Sequence, residues 1–300
     1  MKFDRIDFKK YVTLPVWYGC NNNCIICMLS GFKHKLPIID FPFFKQLVVY
    51  VKEKLQCKNL ILSGAEITTF KDLDKFIDFA ASLSWFEKIQ IQTNGRNLAD
   101  RNYLQRLIDA GLNEVFLSLH GLETAHELIA RKKGAFKEAI AGLHNLDGFD
   151  INVITNTVLT RINYQQVAAL MNYLSEAAVR EVHLWNYFPM RRADERDLIV
   201  RVKDARDLIP EVLNIVKASG KVLVLKNFPE CLPVQEPGYF DNGFPETFIG
   251  EPYWEAFEAN QLGQCVHRAN CKAQTCWGLS HAHVQKYGYE ESYLAPIGCA

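Results

Sequence analysis

The sequence predicts an α/β fold: a parallel sheet built from about six strand–helix units, closed as an open or partial barrel, with a loop-rich C-terminal extension. Three observations carry this. β-rich runs alternate with amphipathic runs in units of about 30 residues, the length of a right-handed parallel crossover. The amphipathic runs place apolar residues at spacings of three and four, as at Phe76, Phe79, Ala80 and Leu83. After Leu225 the pattern breaks, because residues 227–250 hold Pro229, Pro233, Pro237, Pro245 and three glycines.

In chain order, strands are expected at 12–17, 59–63, 88–93, 114–120, 151–158, 181–187 and 221–225. Helices are expected between them at 43–55, 72–82, 97–110, 136–146, 164–178 and 204–219, with one more short helix at 253–260. The chain divides into a core barrel over 1–226 and an extension over 227–300, whose poor apolar core calls for a staple. The hydrophobic fraction of 49% suffices for a sizeable core. Lys plus Arg (34) equals Asp plus Glu (34), so no global field favours a long nucleic acid or a membrane surface. No apolar run reaches membrane-spanning length, and Met1-Lys2-Phe3-Asp4 lacks the apolar core of a signal peptide. A cytoplasmic location is expected.

The nine cysteines are unevenly placed. An odd count without a secretory signal argues against a disulfide framework and for metal ligation. Cys20, Cys24 and Cys27 lie directly after the first strand, in Tyr18-Gly19-Cys20-Asn21-Asn22-Asn23-Cys24-Ile25-Ile26-Cys27. Thiolates are the soft ligands that iron–sulfur clusters require, and three of them leave one iron of a cubane open. Gly19 and the asparagine run suit a loop in which three side chains converge. Two other readings stay open: cysteines buried along one helix face, and a zinc site lacking its fourth ligand.

This motif, after the first strand of a repeated βα domain, resembles the radical S-adenosylmethionine (SAM) superfamily over residues 10–225. The resemblance implies a partial (β/α)6 TIM-like barrel and a [4Fe-4S] cluster whose open iron binds SAM. It also implies reductive cleavage of SAM to a 5′-deoxyadenosyl radical that abstracts hydrogen from substrate. Ile26 stands where the family usually has an aromatic residue, a departure that bears on an adenine contact and not on the cluster. Gly64, Ala65 and Glu66 occupy the place of the family's Gly-Gly-Glu, facing the methionine ammonium of SAM, provided Ala65 need not adopt a positive φ. Asn94, Ser118 and Asn156 sit at later strand ends, where barrel ligands bind. The resemblance assigns Ser118 and Asn156 to the ribose and methionine of SAM. His120, just past a strand end, is the expected catalytic residue, able to move a proton at neutral pH. His126, Arg131, Arg161, Tyr187 and Arg191 are further substrate candidates, each also explicable as a structural hydrogen bond.

Cys231, Cys265, Cys271 and Cys276 offer four thiolates from a loop-rich segment, enough for a second cubane or for zinc. Metal binding there would help fold the extension. Cys299 could replace one of them, His267, His281 and His283 allow mixed ligation, and Cys57 reads as simply buried. The pattern resembles the SPASM and shorter twitch extensions of radical SAM enzymes, with too few cysteines for two clusters. One auxiliary [4Fe-4S] cluster is therefore implied, and with it a net oxidation of a peptide or small molecule. A flavodoxin or ferredoxin-type donor would supply the electron. The chain begins about ten residues before its first strand, so a peptide is expected to bind the barrel directly or arrive with a partner. Two alternatives remain: modification of a nucleotide or sugar, and a non-catalytic iron–sulfur or zinc scaffold.

Overall fold

The computed structural model describes residues 5–232 and 237–298. Its elements run β1 (Tyr11–Trp17), α1 (Phe41–Tyr50), β2 (Asn59–Gly64), α2 (Leu73–Ser82), β3 (Lys88–Thr93), α3 (Arg101–Asp109), β4 (Glu114–Ser118), α4 (Glu123–Ala130) and α5 (Ala135–Leu146). They continue with β5 (Asn152–Leu159), α6 (Val167–Glu176), β6 (Glu181–Asn186), α7 (Val202–Ala218), β7 (Val222–Lys226), β8 (Glu246–Thr247), α8 (Glu251–Glu258) and α9 (His281–Tyr287). All neighbouring strands are parallel, in the order β7-β6-β5-β4-β3-β2-β1-β8. From β1 to β7 each strand is added beside the last, which curls the sheet into a partial barrel, and β8 then returns to the opposite edge beside β1.

Alternate residues of each strand separate two apolar layers. Leu14, Leu62, Ile91, Leu117 and Leu184 pack outward under the helices, against residues such as Phe76, Leu107 and Val212. Ile61, Phe116 and Ile154 point inward and meet Ile6, Phe8 and Tyr11 from the start of the chain. This N-terminal segment plugs the floor of the barrel. Phe8 packs edge-on to Phe116 at 5.8 Å, Ile6 N–H donates to Glu181 Oε2 at 3.0 Å, and Tyr11 O–H donates to Glu114 Oε1 at 2.8 Å. A closed floor leaves the C-terminal strand ends as the place for a ligand.

Every expected strand forms, with ends shifted by at most two residues. The expected helix at 97–110 is two pieces, a short 3₁₀ turn at Arg96–Ala99 and then α3. Asp100 divides them by accepting from the N–H groups of Asn102 and Tyr103, which starts a new helix. Helix α4 was not expected, being eight residues long with no side-chain cap at its start. Strand β8 was not expected either. From the β7 edge, where Asp241 N–H donates to Leu225 O, the chain crosses to the β1 edge, where Phe248 N–H donates to Thr13 O. The segment 240–248 therefore spans the gap that the barrel leaves open.

Candidate active site

The cysteine loop leaves the C-terminal end of β1 and is held from several sides. At the end of β2, Ala65 N–H donates to Trp17 O and Glu66 N–H donates to Gly19 O, both at 2.9 Å. That approach requires Gly64: its φ is +141°, and a Cβ there would lie 1.7 Å from Trp17 O. Ala65 keeps an ordinary negative φ, so its side chain is compatible with the turn. On the other side, Asn23 and Ile25 donate their N–H groups to Ala130 O and Ile129 O. These carbonyls end α4 and have no partner within the helix. Arg96 Nη1 donates to Asn21 O and to Asn22 Oδ1, while its Nε pairs with Glu138 at 2.5 Å. Arg196 donates to Ile25 O. Neither arginine stood out in the sequence, although Arg96 directly follows the strand-end turn Thr93-Asn94-Gly95, a positional signal that was available.

So fixed, Cys20, Cys24 and Cys27 line a cavity of about 310 Å³ at the strand ends. Gly64, Ala65, Glu66, Asn94, Ser118, His120 and Asn156 line the same cavity. All three cysteines are free thiols, and burial together with the neighbouring thiols pushes Cys24 up to about 12. The polar residues divide into satisfied and unsatisfied groups. Glu66 is buried and accepts from Thr68 N–H, Thr68 Oγ1, Thr93 Oγ1 and Asn94 N–H, at 2.6–3.0 Å. Asn94 donates through Nδ2 to Asn21 Oδ1 at 2.7 Å and accepts from Arg96 N–H. The Asn94 side chain thus braces the cysteine loop directly, while the Glu66 carboxylate holds the Asn94 backbone and the Glu66 backbone N–H reaches the loop at Gly19 O. Asn156 Oδ1, by contrast, is buried with no hydrogen-bond partner.

His120 differs from the expectation of a proton carrier at neutral pH. It is buried, and burial, aided by His126, pushes its pKa down to about 3. Its Nδ1 accepts from Val158 N–H at 3.2 Å, and its backbone N–H donates to His126 Nδ1 at 3.1 Å. At neutral pH the ring is therefore an uncharged member of the cavity wall. Of the other candidates, His126 lines the cavity, while Tyr187 and Arg191 border a smaller one beside Cys27. Arg161 instead bonds Tyr287 O–H at the surface, and Arg131 ends α4 with a left-handed φ of 51°.

Residues 14–174, more than half of the chain, match the radical SAM superfamily. This chain belongs to that superfamily. The 7,8-dihydro-6-hydroxymethylpterin dimethyltransferase of Methanocaldococcus jannaschii is 29% identical over 211 residues, 68% of this chain and 40% of that protein. The GTP 3′,8-cyclase of Campylobacter curvus is 26% identical over 234 residues, 76% of this chain and 70% of that one. Streptococcus suis SuiB shares the fold, with a TM-score of 0.57 at 17% identity over 73% of this chain and 49% of its own. As a radical SAM enzyme, the chain is implied to use a [4Fe-4S] cluster and SAM. The site fits both. Three free thiols share one wall, the cavity has the volume of a small-molecule site, and Asn156 presents an unpartnered acceptor to it.

Cys231, Cys265, Cys271 and Cys276 come together elsewhere, around a cavity of about 20 Å³. Loops alone build it. Gln264 and Leu279 exchange two backbone hydrogen bonds, Lys272 N–H donates to Ile297 O, and Thr275 Oγ1 donates to Glu230 Oε1. Backbone N–H groups point at two sulfurs, Ile297 to Cys271 at 3.3 Å and Gly278 to Cys276 at 3.4 Å. His267 borders this cavity, with a buried Nε2 that has no partner. His283 instead pairs with Glu290 at 2.9 Å. Among the described residues, no three His, Cys, Asp or Glu side chains gather as a site for a single metal ion. Cys57 donates to Lys10 O at 3.0 Å, away from both sets, and Cys299 lies outside the described residues.

Proposed function

We propose that this radical SAM enzyme carries out an oxidative modification of a peptide or small molecule, aided by one auxiliary [4Fe-4S] cluster. The observation that carries the reading is the separation of two cysteine sets, one on an open cavity and one around a closed one. In this reading residues 1–226 form the catalytic barrel and 227–300 the auxiliary-cluster extension. Cys20, Cys24 and Cys27 hold the first cluster, while Gly64, Ala65, Ser118 and Asn156 receive SAM. Bound there, the cluster would supply one electron, and SAM, releasing methionine, would supply a 5′-deoxyadenosyl radical able to take hydrogen from the substrate. The chain's own residues orient and enclose. Arg96, Arg196, Asn94 and the Glu66 backbone hold the loop at the strand ends, and His120 and His126 leave one wall uncharged.

Cys231, Cys265, Cys271 and Cys276 would hold the second cluster. Four thiolates on one tetrahedral zinc ion sit about 3.8 Å apart, as Zn–S bonds of about 2.3 Å require. The four cysteines line one small cavity, and it is their resemblance to the twitch pattern that supports reading them as ligands of a cubane. A cytoplasmic flavodoxin or ferredoxin-type donor would deliver the electron, and no helix among the described residues is long and apolar enough to cross a membrane. The relatives named for pterin and GTP chemistry favour a second reading, in which the substrate is a nucleotide or a similar ring compound.

Anaerobic reconstitution tests the proposal. The expected result is about eight irons per chain, as two cubanes require, with dithionite-dependent release of 5′-deoxyadenosine from SAM. About four irons with normal cleavage would remove the auxiliary cluster from the proposal. Absence of cleavage in the loaded, reduced protein would remove the reaction itself.

A further inference from the structure

A second recess of about 180 Å³ adjoins the SAM-side cavity, sharing Gly64, Gln92 and Trp185 with it. Its walls come from two parts of the chain. Phe8 and Trp185 belong to the barrel, and Phe244, Tyr253 and Trp254 belong to the stretch that crosses the open gap and enters α8. Phe244 is set in place by Trp277, stacked on it at 4.7 Å and 10°, and Trp277 directly follows Cys276.

Lys226, at the end of β7, is the one charged residue among the described residues lining this recess. It is fully buried, and its ammonium lies 4.5 Å from the centre of the Phe8 ring, 5.2 Å from Trp185 and 4.7 Å from Phe244. An ammonium has three N–H donors, and here one goes to Gly243 O. The carboxylate whose field it feels, Asp241, is paired with Arg5 at 3.7 Å. Ring faces attract a cation but offer no lone pair equal to an anionic oxygen. Burial pushes Lys226 down to about 8, so at neutral pH most of it still carries its charge. A buried cation short of acceptors is costly unless something completes its shell.

We propose that this recess is the substrate subsite, and that it takes a compact planar ring bearing an anionic oxygen. The ring packs on the aromatic walls, and the oxygen bonds Lys226 Nζ. The volume admits one small ring system, and the shared residues set it beside the cavity assigned to SAM. This rests on the proposed function only for what fills the neighbouring cavity.

Calorimetric titration of the anaerobically loaded protein with SAM provides the test, using indole-3-carboxylate and its uncharged isostere indole-3-carboxamide. The carboxylate should bind at least about tenfold more tightly, the usual scale of a charge-assisted hydrogen bond. Lys226→Met, which keeps the apolar stem, should abolish that preference. Trp254→Ala, at the exposed rim, should weaken both probes about equally, by about threefold, and guards against a Lys226 variant that fails to fold. Equal binding of the two probes by the unaltered protein, or a preference that survives Lys226→Met, overturns the inference. Tighter binding of N-acetyl-Ala-Tyr-Ala-amide than of the carboxylate also overturns it, in favour of a peptide side chain. Release of 5′-deoxyadenosine by the same unaltered preparation reads the radical reaction separately, so either failure is recognisable on its own.

Discussion

The N-terminal cysteines stand on a cavity of about 310 Å³ at the ends of sheet strands, whereas the C-terminal four surround about 20 Å³ enclosed by loops. The first set has three thiols and room beside them; the second has four and almost none. Open space next to an incomplete ligand set is what a reacting molecule needs, and a closed, complete set suits storage or passage of electrons. The frames differ too. A sheet edge, the end of α4 and two arginines fix the first loop, while the second relies on loop-to-loop hydrogen bonds and on whatever its thiols bind. Metal binding at the second site is therefore expected to contribute to folding as well as to chemistry.

Breaking the two sites one at a time should give the largest contrast. Cys24→Ala should lower SAM cleavage by about 10³-fold or more, whereas Cys271→Ala should retain cleavage and lose product, as 5′-deoxyadenosine and product assays would read. Loss of cleavage in both variants would erase the proposed division of labour. Gly64→Ala attacks the frame of the first site alone. A methyl group driven against Trp17 O should cost about 3 kcal/mol or more in urea unfolding, and should lower iron at the N-terminal cysteines without lowering iron held by the proposed C-terminal site.

Acidity sharpens the comparison on a smaller scale. Burial holds His126 at about 4 in the folded chain against 6.5 unfolded. Between those values the unfolded chain binds the extra proton, so the stability tied to this ring is complete above pH 6.5 and is lost as pH falls towards 4. His126→Leu should therefore flatten the fall in unfolding free energy by about 1.4 kcal/mol per pH unit in that window, measured by urea titration at several pH values. The smallest effect is expected at the unpartnered acceptor. Asn156→Ala should raise the SAM dissociation constant about fivefold in equilibrium dialysis, with iron content unchanged.

Much of this architecture was legible because the repeat is regular: apolar β runs and helices spaced at three and four encode the barrel locally. The exceptions are short or lie in broken sequence. Helix α4 has eight residues and no capping side chain, and β8 has two residues in a proline-rich stretch, so neither has a period to read. Yet α4 supplies the carbonyls that hold the cysteine loop, and β8 closes the gap beside the Lys226 recess.

The sequence by itself determined the kind of chemistry, since three thiols within eight residues after a strand are a property of residue type and spacing. Only the tertiary structure decided which polar residues remain free to bind. Glu66 and Asn94 are engaged by partners 27 and 73 residues away, His120 is discharged by burial, and Asn156 keeps an open acceptor. Hydrogen-bond saturation and desolvation depend on neighbours brought together by folding, and local pattern carries no record of them.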